Sequence, residues 1–329
     1  MNRTMLALAV TLSLGTAPGL LAQEGPAGGA DPPAAQEAPA RPATYDEAAD
    51  ARKQIDAAVA RAGKENRRVL IQWGANWCGW CHLLHEHMEK EKDVRRKLLY
   101  EYDVVLVDIG RFDKNLDLAE RYGARFKDPQ AGGVPYLTIL DADGNVIANQ
   151  ETGSLESKVD GKNGHDAEKV LAFLAEHQAD YLSAESILGD ALRRAGAEKK
   201  MVFLHFGAPW CGWCHRLEDW LARPEVAKTL AKDFVDVKID TDRTIGGKEM
   251  LERMTKGVPS GIPWFAFLDA DGAIVADSFV APGQNLGHPY TDEETAAFAA
   301  LLERVSTRIG REEMKTLVDD LRATNAQKK

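Results

Sequence analysis

The sequence has few cysteines, no excess of positive charge, and no long apolar run beyond its first residues. Its 329 residues include only four cysteines, too few for a framework of structural disulfides. The net charge is −10 and no basic cluster offsets it, which argues against a nucleic-acid partner. Apolar residues make up 44% of the chain and charged residues 28%, as in globular proteins with ordinary cores.

The N-terminal segment has the pattern of an export signal. Residues 1–22 contain an apolar core from Met5 to Leu14, and Ala22 precedes a candidate cleavage point. Glycines and a proline interrupt the apolar stretch, so an uncleaved membrane anchor is the less favoured alternative. Residues 23–43, rich in Pro, Ala and Gly, predict a disordered linker. We therefore expect a periplasmic or secreted protein with no membrane span after signal removal.

The rest of the chain is an internal duplication. The repeated segments are VLIQWGANWCGWCH (69–82) with VFLHFGAPWCGWCH (202–215), and VPYLTILDADGNVIA (134–148) with IPWFAFLDADGAIVA (262–276). In the first pair of segments, nine of fourteen positions are identical. Two copies of one structural unit are therefore expected. The predicted divisions are a first domain at 44–181, a second at 182–310, and a C-terminal helix and tail at 311–329.

Hydrophobic periodicity predicts the order of elements in each unit. For the first unit the predicted elements are a helix over Tyr45–Ala62, a strand over Val69–Trp73, a helix over Gly79–Lys90, a strand over Val104–Ile109, a helix over Leu116–Arg121, a hairpin of Tyr136–Leu140 with Val146–Ala148, and a helix over Asp166–Glu176. The second unit runs the same way, and its predicted elements are a helix near Ser186–Ala195, a strand over 201–206, a helix over 212–222, a strand over 234–239 and a hairpin turning at Asp271-Gly272. Its last helices begin at Thr291, which has the capping-box pattern with Glu294, and a further helix is predicted near 311–322. The fold class is α/β, with a central mixed sheet flanked by helices in each unit.

All four cysteines lie in the repeated motif, as two pairs separated by two residues. A loop this short constrains the unfolded chain little, so the pairs are poor structural disulfides. The spacing suits reversible dithiol–disulfide chemistry, because the first cysteine begins a helix whose free N–H groups favour a thiolate. Cys78 and Cys211 are therefore predicted to be the nucleophiles. Cys81 and Cys214, one turn into each helix, are predicted to be the resolving thiols.

A strand, Trp-Cys-Gly-x-Cys, a helix and a later Gly-x-Pro loop together resemble the thioredoxin family, over roughly residues 45–180 and 184–305. The resemblance implies two tandem thioredoxin folds that exchange disulfides with proteins. It also implies a set of substrate-binding residues around the cysteines: Trp77, Trp80, Pro135, Trp210, Trp213 and Pro263. In the family the loop proline is cis, so cis bonds are expected at both Pro135 and Pro263.

One position departs from the family's pattern in both units. Six residues before the first cysteine, where the family has a proton-shuttling acid, the chain has Gln72 and His205. An amide cannot accept a proton near neutrality, whereas an imidazole can. His205 is therefore the predicted proton acceptor of the second site, with a histidine that only packs within its strand as the alternative.

Three other functions compete with this interpretation. Cys-x-x-Cys-His is also the c-type haem attachment motif, which would make the chain a dihaem cytochrome with His82 and His215 as ligands. A second alternative is a zinc or copper site formed by thiolates and imidazoles, from the cluster Cys78, Cys81, His82, His85 and His87. A third is a chaperone-like module, which a thioredoxin fold can also provide. Two intact cysteine pairs favour an enzyme without organic cofactor or metal. The uncharged Gly-Trp between the cysteines favours a reductase, supplied by an electron donor that the sequence does not identify.

Overall fold

The structure is a computed structural model that describes residues 43–128, 132–159 and 161–327, and residue 327 is described by its backbone only. The predicted signal peptide at 1–22 and nearly all of the predicted linker at 23–43 lie outside the described residues. Within the described residues, no helix is both long enough and apolar enough to cross a bilayer.

The helices and strands fall into two successive series of similar order. The first series is α1 (Ala51–Glu65), β1 (Arg68–Gly74), α2 (Gly79–Lys90), α3 (Lys92–Glu101), β2 (Tyr102–Asp108), α4 (Leu116–Arg121), β3 (Tyr136–Leu140), β4 (Val146–Glu151), β5 (Glu156–Val159), β6 (Lys162–His165) and α5 (Ala167–Glu176). The second is α6 (Ala184–Glu198), β7 (Met201–Gly207), α7 (Gly212–Leu221), α8 (Pro224–Leu230), β8 (Phe234–Asp240), α9 (Gly247–Met254), β9 (Trp264–Leu268), β10 (Ile274–Asp277), β11 (Phe279–Ala281), β12 (Gln284–Asn285), α10 (Asp292–Val305) and α11 (Arg311–Gln327).

Each series builds a four-stranded mixed sheet. β1 pairs in parallel with β2 and antiparallel with β3, and β4 joins the outer side of β3. The second sheet has the equivalent order β8-β7-β9-β10, with β7 parallel to β8 and antiparallel to β9. The parallel pair in each sheet requires a helical crossover, which α2 and α3 supply in the first half. The predicted α/β fold with central mixed sheets is confirmed.

The central strand of each sheet is covered by helices on both faces. In β1, Ile71 and Trp73 pack with Ile55 of α1 on one face. Leu70, which points to the opposite face, packs with Leu84 of α2. β1 is therefore apolar at nearly every position, and the cysteine motif follows directly from a strand that is fixed on both sides.

One predicted helix begins later than expected. The prediction of a helix from Tyr45 is wrong at its start, because α1 begins at Ala51. Asp50 stands at the N-cap, where its carboxylate accepts the backbone N–H of Lys53. Tyr45 lies in the irregular segment of bends and turns before this cap and is buried. Its side chain is therefore free to serve the cysteine site rather than the helix.

Several short elements were not predicted. They are the helices α3, α8 and α9, the hairpin of β5 with β6, and the hairpin of β11 with β12. α11 is longer than the predicted helix near 311–322, and Met314, Leu317 and Leu321 pack into the same hydrophobic core as α10. The capping box of Thr291 with Glu294 at the start of α10 is confirmed.

Candidate active sites

Each cysteine pair lies at the N-terminus of a helix and forms a disulfide in this structure. Cys78 is the N-cap residue of α2, and its Sγ accepts the backbone N–H of Cys81 at 3.1 Å. Cys211 is the N-cap residue of α7, and its Sγ accepts the N–H of Cys214 at 3.2 Å. Free N–H groups and the positive end of the helix dipole favour negative charge at this position, and therefore a thiolate in the reduced protein.

A proline loop from the sheet lies against each pair. The peptide bonds before Pro135 and Pro263 are both cis, which confirms the prediction for these two residues. The Sγ of Cys78 lies 3.6 Å from the carbonyl oxygen of Val134, the residue before the first proline. The corresponding distance from Cys211 in the second half is also 3.6 Å. The fold therefore brings each cysteine together with its loop across about fifty residues of sequence.

The tryptophans that precede the cysteines are exposed and have different partners in the two halves. Trp77 is 47% exposed, and its indole N–H donates to the carbonyl oxygen of Gly110 at 2.6 Å. Trp210 is 59% exposed, and its N–H donates to a carboxylate oxygen of Asp242 at 2.9 Å. Each ring thus stands at the protein surface beside its cysteine, held by one hydrogen bond.

The tryptophans between the cysteines also differ. Trp80 is half-buried, with its ring centroid 5.6 Å from that of His165 in an edge-to-face arrangement. Trp213 is exposed, and the Arg216 guanidinium lies 4.7 Å from its ring centroid. Tyr290 packs edge-on against the Trp213 ring at 5.4 Å. The aromatic surface beside the second pair is therefore larger and carries a positive charge.

A glutamine and a tyrosine lie behind the first pair, and the buried Asp108 carboxylate acts electrostatically on the tyrosine. The Gln72 amide donates to the Tyr45 hydroxyl at 2.7 Å and to the Cys81 carbonyl at 3.2 Å. A Cβ at Gly74 would clash with that hydroxyl and lie 2.8 Å from the Cys81 sulfur, so hydroxyl and sulfur converge there. Leu106, paired with Gln72 across the sheet, packs against the same cluster. Burial raises the pKa of Tyr45 well above its usual range, which keeps the phenol uncharged.

His205, the predicted proton acceptor, is a buried residue of β7, and its two ring nitrogens have different surroundings. Its Nε2 lies 3.2 Å from a carboxylate oxygen of Asp236, whereas Nδ1 has no hydrogen-bond partner in the described part of the chain. Its ring packs edge-on against Phe203. The role of His205 in proton transfer stays a prediction.

A carboxylate lies behind the second pair. A Cβ at Gly207 would lie 3.0 Å from the Glu218 Oε1 and 3.5 Å from the Cys214 sulfur, so the two groups share one small space. The ammonium of Lys238 lies 2.9 Å from the same Glu218 oxygen. Sequence reasoning missed Tyr45, Glu218 and Lys238 as site residues. The available signal was the position of Glu218, four residues after Cys214 on one helix face.

The histidines after the first pair have partners within the protein. His82 Nδ1 lies 2.8 Å from the Thr44 hydroxyl, and its Nε2 lies 2.8 Å from the Asn76 carbonyl oxygen. Because a carbonyl only accepts, Nε2 carries the proton and Nδ1 accepts from the threonine. His85 lies 3.4 Å from Glu89 on its own helix. Across residues 43–128, 132–159 and 161–327, no three His, Cys, Asp or Glu side chains are grouped to hold a metal ion.

Two family models match the chain in succession. A model described as thioredoxin-like domain matches residues 55–159, and one described as thioredoxin-like matches residues 184–270. The chain carries two thioredoxin-like domains in tandem. Each match contains one cysteine pair; the first spans all four strands of its sheet, and the second spans β7, β8 and β9 of its sheet.

The thioredoxin-like chain also matches curated proteins over most of its length. It is 29% identical over 217 residues to protein disulfide-isomerase erp38 of Neurospora crassa, which covers 63% of this chain and 52% of that protein. It is 27% identical over 223 residues to protein disulfide-isomerase tigA of Aspergillus niger, covering 63% and 54%. The chain thus spans about half the length of these relatives. A solved disulphide isomerase from Xylella fastidiosa Temecula1 is 29% identical, with 42% of this chain and 98% of that chain covered and a TM-score of 0.35.

Proposed function

We propose that this chain is an exported thiol–disulfide oxidoreductase that acts on protein disulfides through Cys78/Cys81 and Cys211/Cys214. The observation that carries the proposal is the position of each pair, at a helix N-terminus and 3.6 Å from the carbonyl that precedes a loop proline. The names of the two fungal relatives, both protein disulfide-isomerases, support the same class of reaction. The signal-like pattern of residues 1–22 supports a periplasmic or secreted location.

The reaction in the reducing direction is a two-step exchange. The Cys78 or Cys211 thiolate attacks a substrate disulfide, so that one substrate sulfur leaves as a thiolate and a mixed disulfide forms. The Cys81 or Cys214 thiolate then attacks its partner cysteine and releases the second substrate sulfur. The substrate disulfide gains two electrons and the cysteine pair becomes the disulfide seen here. A thiol or dithiol donor then reduces the pair again.

The proposed substrate surface consists of the tryptophans and prolines around each pair. In the second half an open groove of about 620 Å³ runs beside Trp210 and reaches Ile262, the residue before the loop proline. Lys248 and Glu252 line the same groove, so it offers both charges to a polar peptide. An extended segment of an unfolded or loosely folded protein is the substrate that fits such a surface.

The haem alternative is less compatible with these residues. Covalent haem attachment would need both cysteines of a pair as thioethers and the following histidine as an iron ligand. Both nitrogens of His82 are instead engaged by Thr44 and the Asn76 carbonyl, within the folded domain. His215 is similarly placed, with Nε2 2.8 Å from the Pro209 carbonyl oxygen.

Cysteine-to-serine variants test the proposed function. Serine nearly matches cysteine in size but provides no thiolate, so Cys78→Ser should remove exchange at the first pair and Cys211→Ser at the second. Reduction of insulin disulfides by dithiothreitol, followed by turbidity, measures the activity. We expect each single variant to retain part of the activity and the double variant to fall to the uncatalysed rate. A double variant as active as the parent would refute the proposal.

The direction of the reaction is tested by the reduction potentials of the two pairs. We expect values nearer to thioredoxin, about −270 mV, than to the strongest periplasmic oxidants, about −120 mV. Equilibration with glutathione or dithiothreitol buffers, followed by alkylation and peptide mass spectrometry, gives each potential separately. Two reduction potentials near about −120 mV would contradict the proposed reducing direction. They would not contradict the proposed thiol–disulfide exchange itself.

A further inference from the structure

The resolving cysteine of the second pair shares its surroundings with an ion-pair chain that crosses between the two halves. The Glu218 Oε1 and the Cys214 sulfur converge on the space left open by Gly207. Lys238 lies 2.9 Å from that oxygen and 3.7 Å from a carboxylate oxygen of Glu65, which belongs to α1 of the first half. All three charged side chains are at least three-quarters buried, so solvent screens their interactions only weakly.

The Glu218 carboxylate is positioned to take up a proton. Among the described residues its Oε1 accepts no aligned hydrogen bond, so the ion pair with Lys238 leaves lone pairs on that oxygen open. Burial acts to raise the pKa of Glu218, but His215 and Lys238 outweigh it, and the net effect is a lowered pKa. The carboxyl group is therefore ionised near neutral pH, the state in which it can accept a proton.

The other charged groups around this ion-pair chain come from both halves of the protein. Glu218 is faced by His215 on its own helix, with Nδ1 3.5 Å from Oε2, and electrostatically by His205 on β7. Glu65 also pairs with Arg67 at 2.9 Å. A cavity of about 240 Å³ between the halves is lined by Glu65, His215 and Lys238, together with Asp240 and Arg243. The cavity is large enough for water, and it reaches His215 and Lys238, the two neighbours of Glu218.

The first pair lacks this arrangement. Tyr45 and Gln72 contact the surroundings of Cys81, and Leu106 takes the position that Lys238 has in the second sheet. His85 takes the helix position of Glu218 and pairs with Glu89 on the same helix. The two sites therefore differ behind identical cysteine motifs, and only the second has a carboxylate reached from the other half through a lysine.

We propose that Glu218 accepts the Cys214 proton during resolution and that Glu65, acting through Lys238, sets the pH at which this occurs. The proposal rests on the thiol–disulfide chemistry proposed above. The Cys214 S–H bond gives its proton to a Glu218 oxygen, and the sulfur electron pair attacks the Cys211 sulfur of the mixed disulfide. The bond from Cys211 to the substrate breaks, and the substrate sulfur leaves as a thiolate. Glu65 is a positioning residue, because it touches Lys238 and not the reacting sulfurs.

The test isolates the second pair within the full-length chain. Cys78→Ala with Cys81→Ala removes the first pair, and the reduced protein is mixed with 5,5′-dithiobis(2-nitrobenzoate). Attack by Cys211 releases one nitrothiolate, and resolution by Cys214 releases a second, so absorbance separates the two steps. If the parent shows no first release of nitrothiolate, the proposed thiol–disulfide oxidoreductase function is wrong. A normal first release in a variant shows that the domain is folded and that its nucleophile is intact.

The variants at Glu218 test the proton acceptor. Glu218→Gln should slow the second release about a hundredfold, as for loss of a positioned general base, and should shift its pH dependence to that of the unassisted thiol. Glu218→Asp keeps a carboxylate on a shorter side chain and should give an intermediate rate. The matched control is His85→Gln, one turn after Cys81, which should leave the second pair unchanged. The assignment would be overturned if Glu218→Gln left the rate of the second release unchanged. It would also be overturned if the hundredfold loss of that rate appeared in His205→Gln and not in Glu218→Gln.

The variant at Glu65 tests the connection between the halves. Glu65→Gln removes a negative charge next to Lys238, so the lysine should stabilise the Cys214 thiolate more strongly. The midpoint of the pH profile for the second release should then move to lower pH, while the first pair, measured with Cys211→Ala and Cys214→Ala, should not change. Glu86→Gln, which removes an exposed ion pair with Lys90, is the control and should move neither profile. Equal profiles for Glu65→Gln and Glu86→Gln would refute the role of Glu65.

Discussion

At the scale of single residues, His165 illustrates how burial changes a side chain that sequence alone leaves unremarkable. It ends β6 and is almost fully buried, and neither ring nitrogen has a hydrogen-bond partner within residues 43–128, 132–159 and 161–327. Trp80 of the first active site packs on its ring, and His87 lies with its ring centroid 6.1 Å away. Burial and then the neighbouring His87 lower the pKa of His165 to about 4.

His165 should therefore make the protein less stable in mild acid. The unfolded chain binds a proton at this residue below pH of about 6.5, whereas the folded chain does so only near pH 4. The free energy of unfolding should thus fall by up to about 2 kcal/mol as the pH drops across this interval. His165→Phe should show a smaller fall between pH 7 and 4.5 in urea denaturation. His85→Gln, a change at a surface histidine, serves as control, and equal pH slopes for both variants would contradict the prediction.

Site residues were predictable where their chemistry is local in sequence. The cysteine pairs and the two cis prolines follow from short motifs, and the structure brings them together as the family resemblance implied. The partners of the resolving cysteines were not predictable, because they come from separate elements. Tyr45 reaches its site from before α1, and Lys238 reaches its site from β8.

At the scale of elements, two helices and the central strand of the first unit were predicted almost to the residue, whereas the first helix was predicted to begin six residues too early. α2 and α4 have the predicted bounds, and β1 extends the predicted strand by one residue at each end. The missed helices α8 and α9 have seven and eight residues. Helices this short are marginal in isolation, so packing against the rest of the protein decides whether they form.

The capping box of α10 gives a prediction for one element. The Thr291 Oγ1 accepts the Glu294 N–H at 3.1 Å, and the Glu294 carboxylate accepts the N–H of Thr291 at 2.9 Å. Thr291→Ala removes the first of these bonds and should lower the free energy of unfolding by about 1 kcal/mol. Thr291→Ser retains the hydroxyl and should lose much less. Urea denaturation of both variants measures the effect, and equal losses would argue against the cap.

At the scale of the whole molecule, a buried ion pair joins the two halves. The Arg243 guanidinium lies 3.0 Å from a carboxylate oxygen of Glu101 at the end of α3. It also donates to the carbonyl oxygens of Glu65 and Asn66, and Glu101 accepts the Tyr181 hydroxyl at 2.6 Å. Each buried charge is therefore paired and hydrogen-bonded, which is what makes its desolvation tolerable.

Removing one member of this pair should be costly. Arg243→Met leaves the Glu101 carboxylate and two carbonyl groups without their partner, and should cost about 3–5 kcal/mol of unfolding free energy. Replacing both residues, with Glu101→Leu added, should recover part of that loss because no uncompensated charge remains. Arg253→Met, at an exposed pair with Glu185, should cost less than about 1 kcal/mol. Guanidinium denaturation of the full chain compares the three, and a loss for Arg243→Met no larger than the control would contradict the prediction.

A second contact between the halves reaches an active-site tryptophan. The Tyr100 hydroxyl of α3 donates to Asp242 at 2.9 Å, and the same carboxylate oxygen accepts the indole N–H of Trp210. Burial acts to raise the pKa of Asp242, but the hydrogen bonds from Trp210 and Tyr100 together with the Lys248 ammonium outweigh it, and the pKa is lowered. Trp210, the residue before Cys211, is thus hydrogen-bonded to the Asp242 carboxylate, which Tyr100 of the first half also contacts.

The sequence by itself determined the duplication, the α/β architecture and the positions of the redox cysteines. These features depend on apolar periodicity and on motif spacings of a few residues, which can be recognised within short stretches of sequence. Only the tertiary structure decided what surrounds each cysteine pair and how the halves meet. Glu65 meets Lys238, and Glu101 meets Arg243, across 142 or more positions of sequence. No local pattern encodes such contacts, because they arise only when two separately formed sheets and their helices pack together.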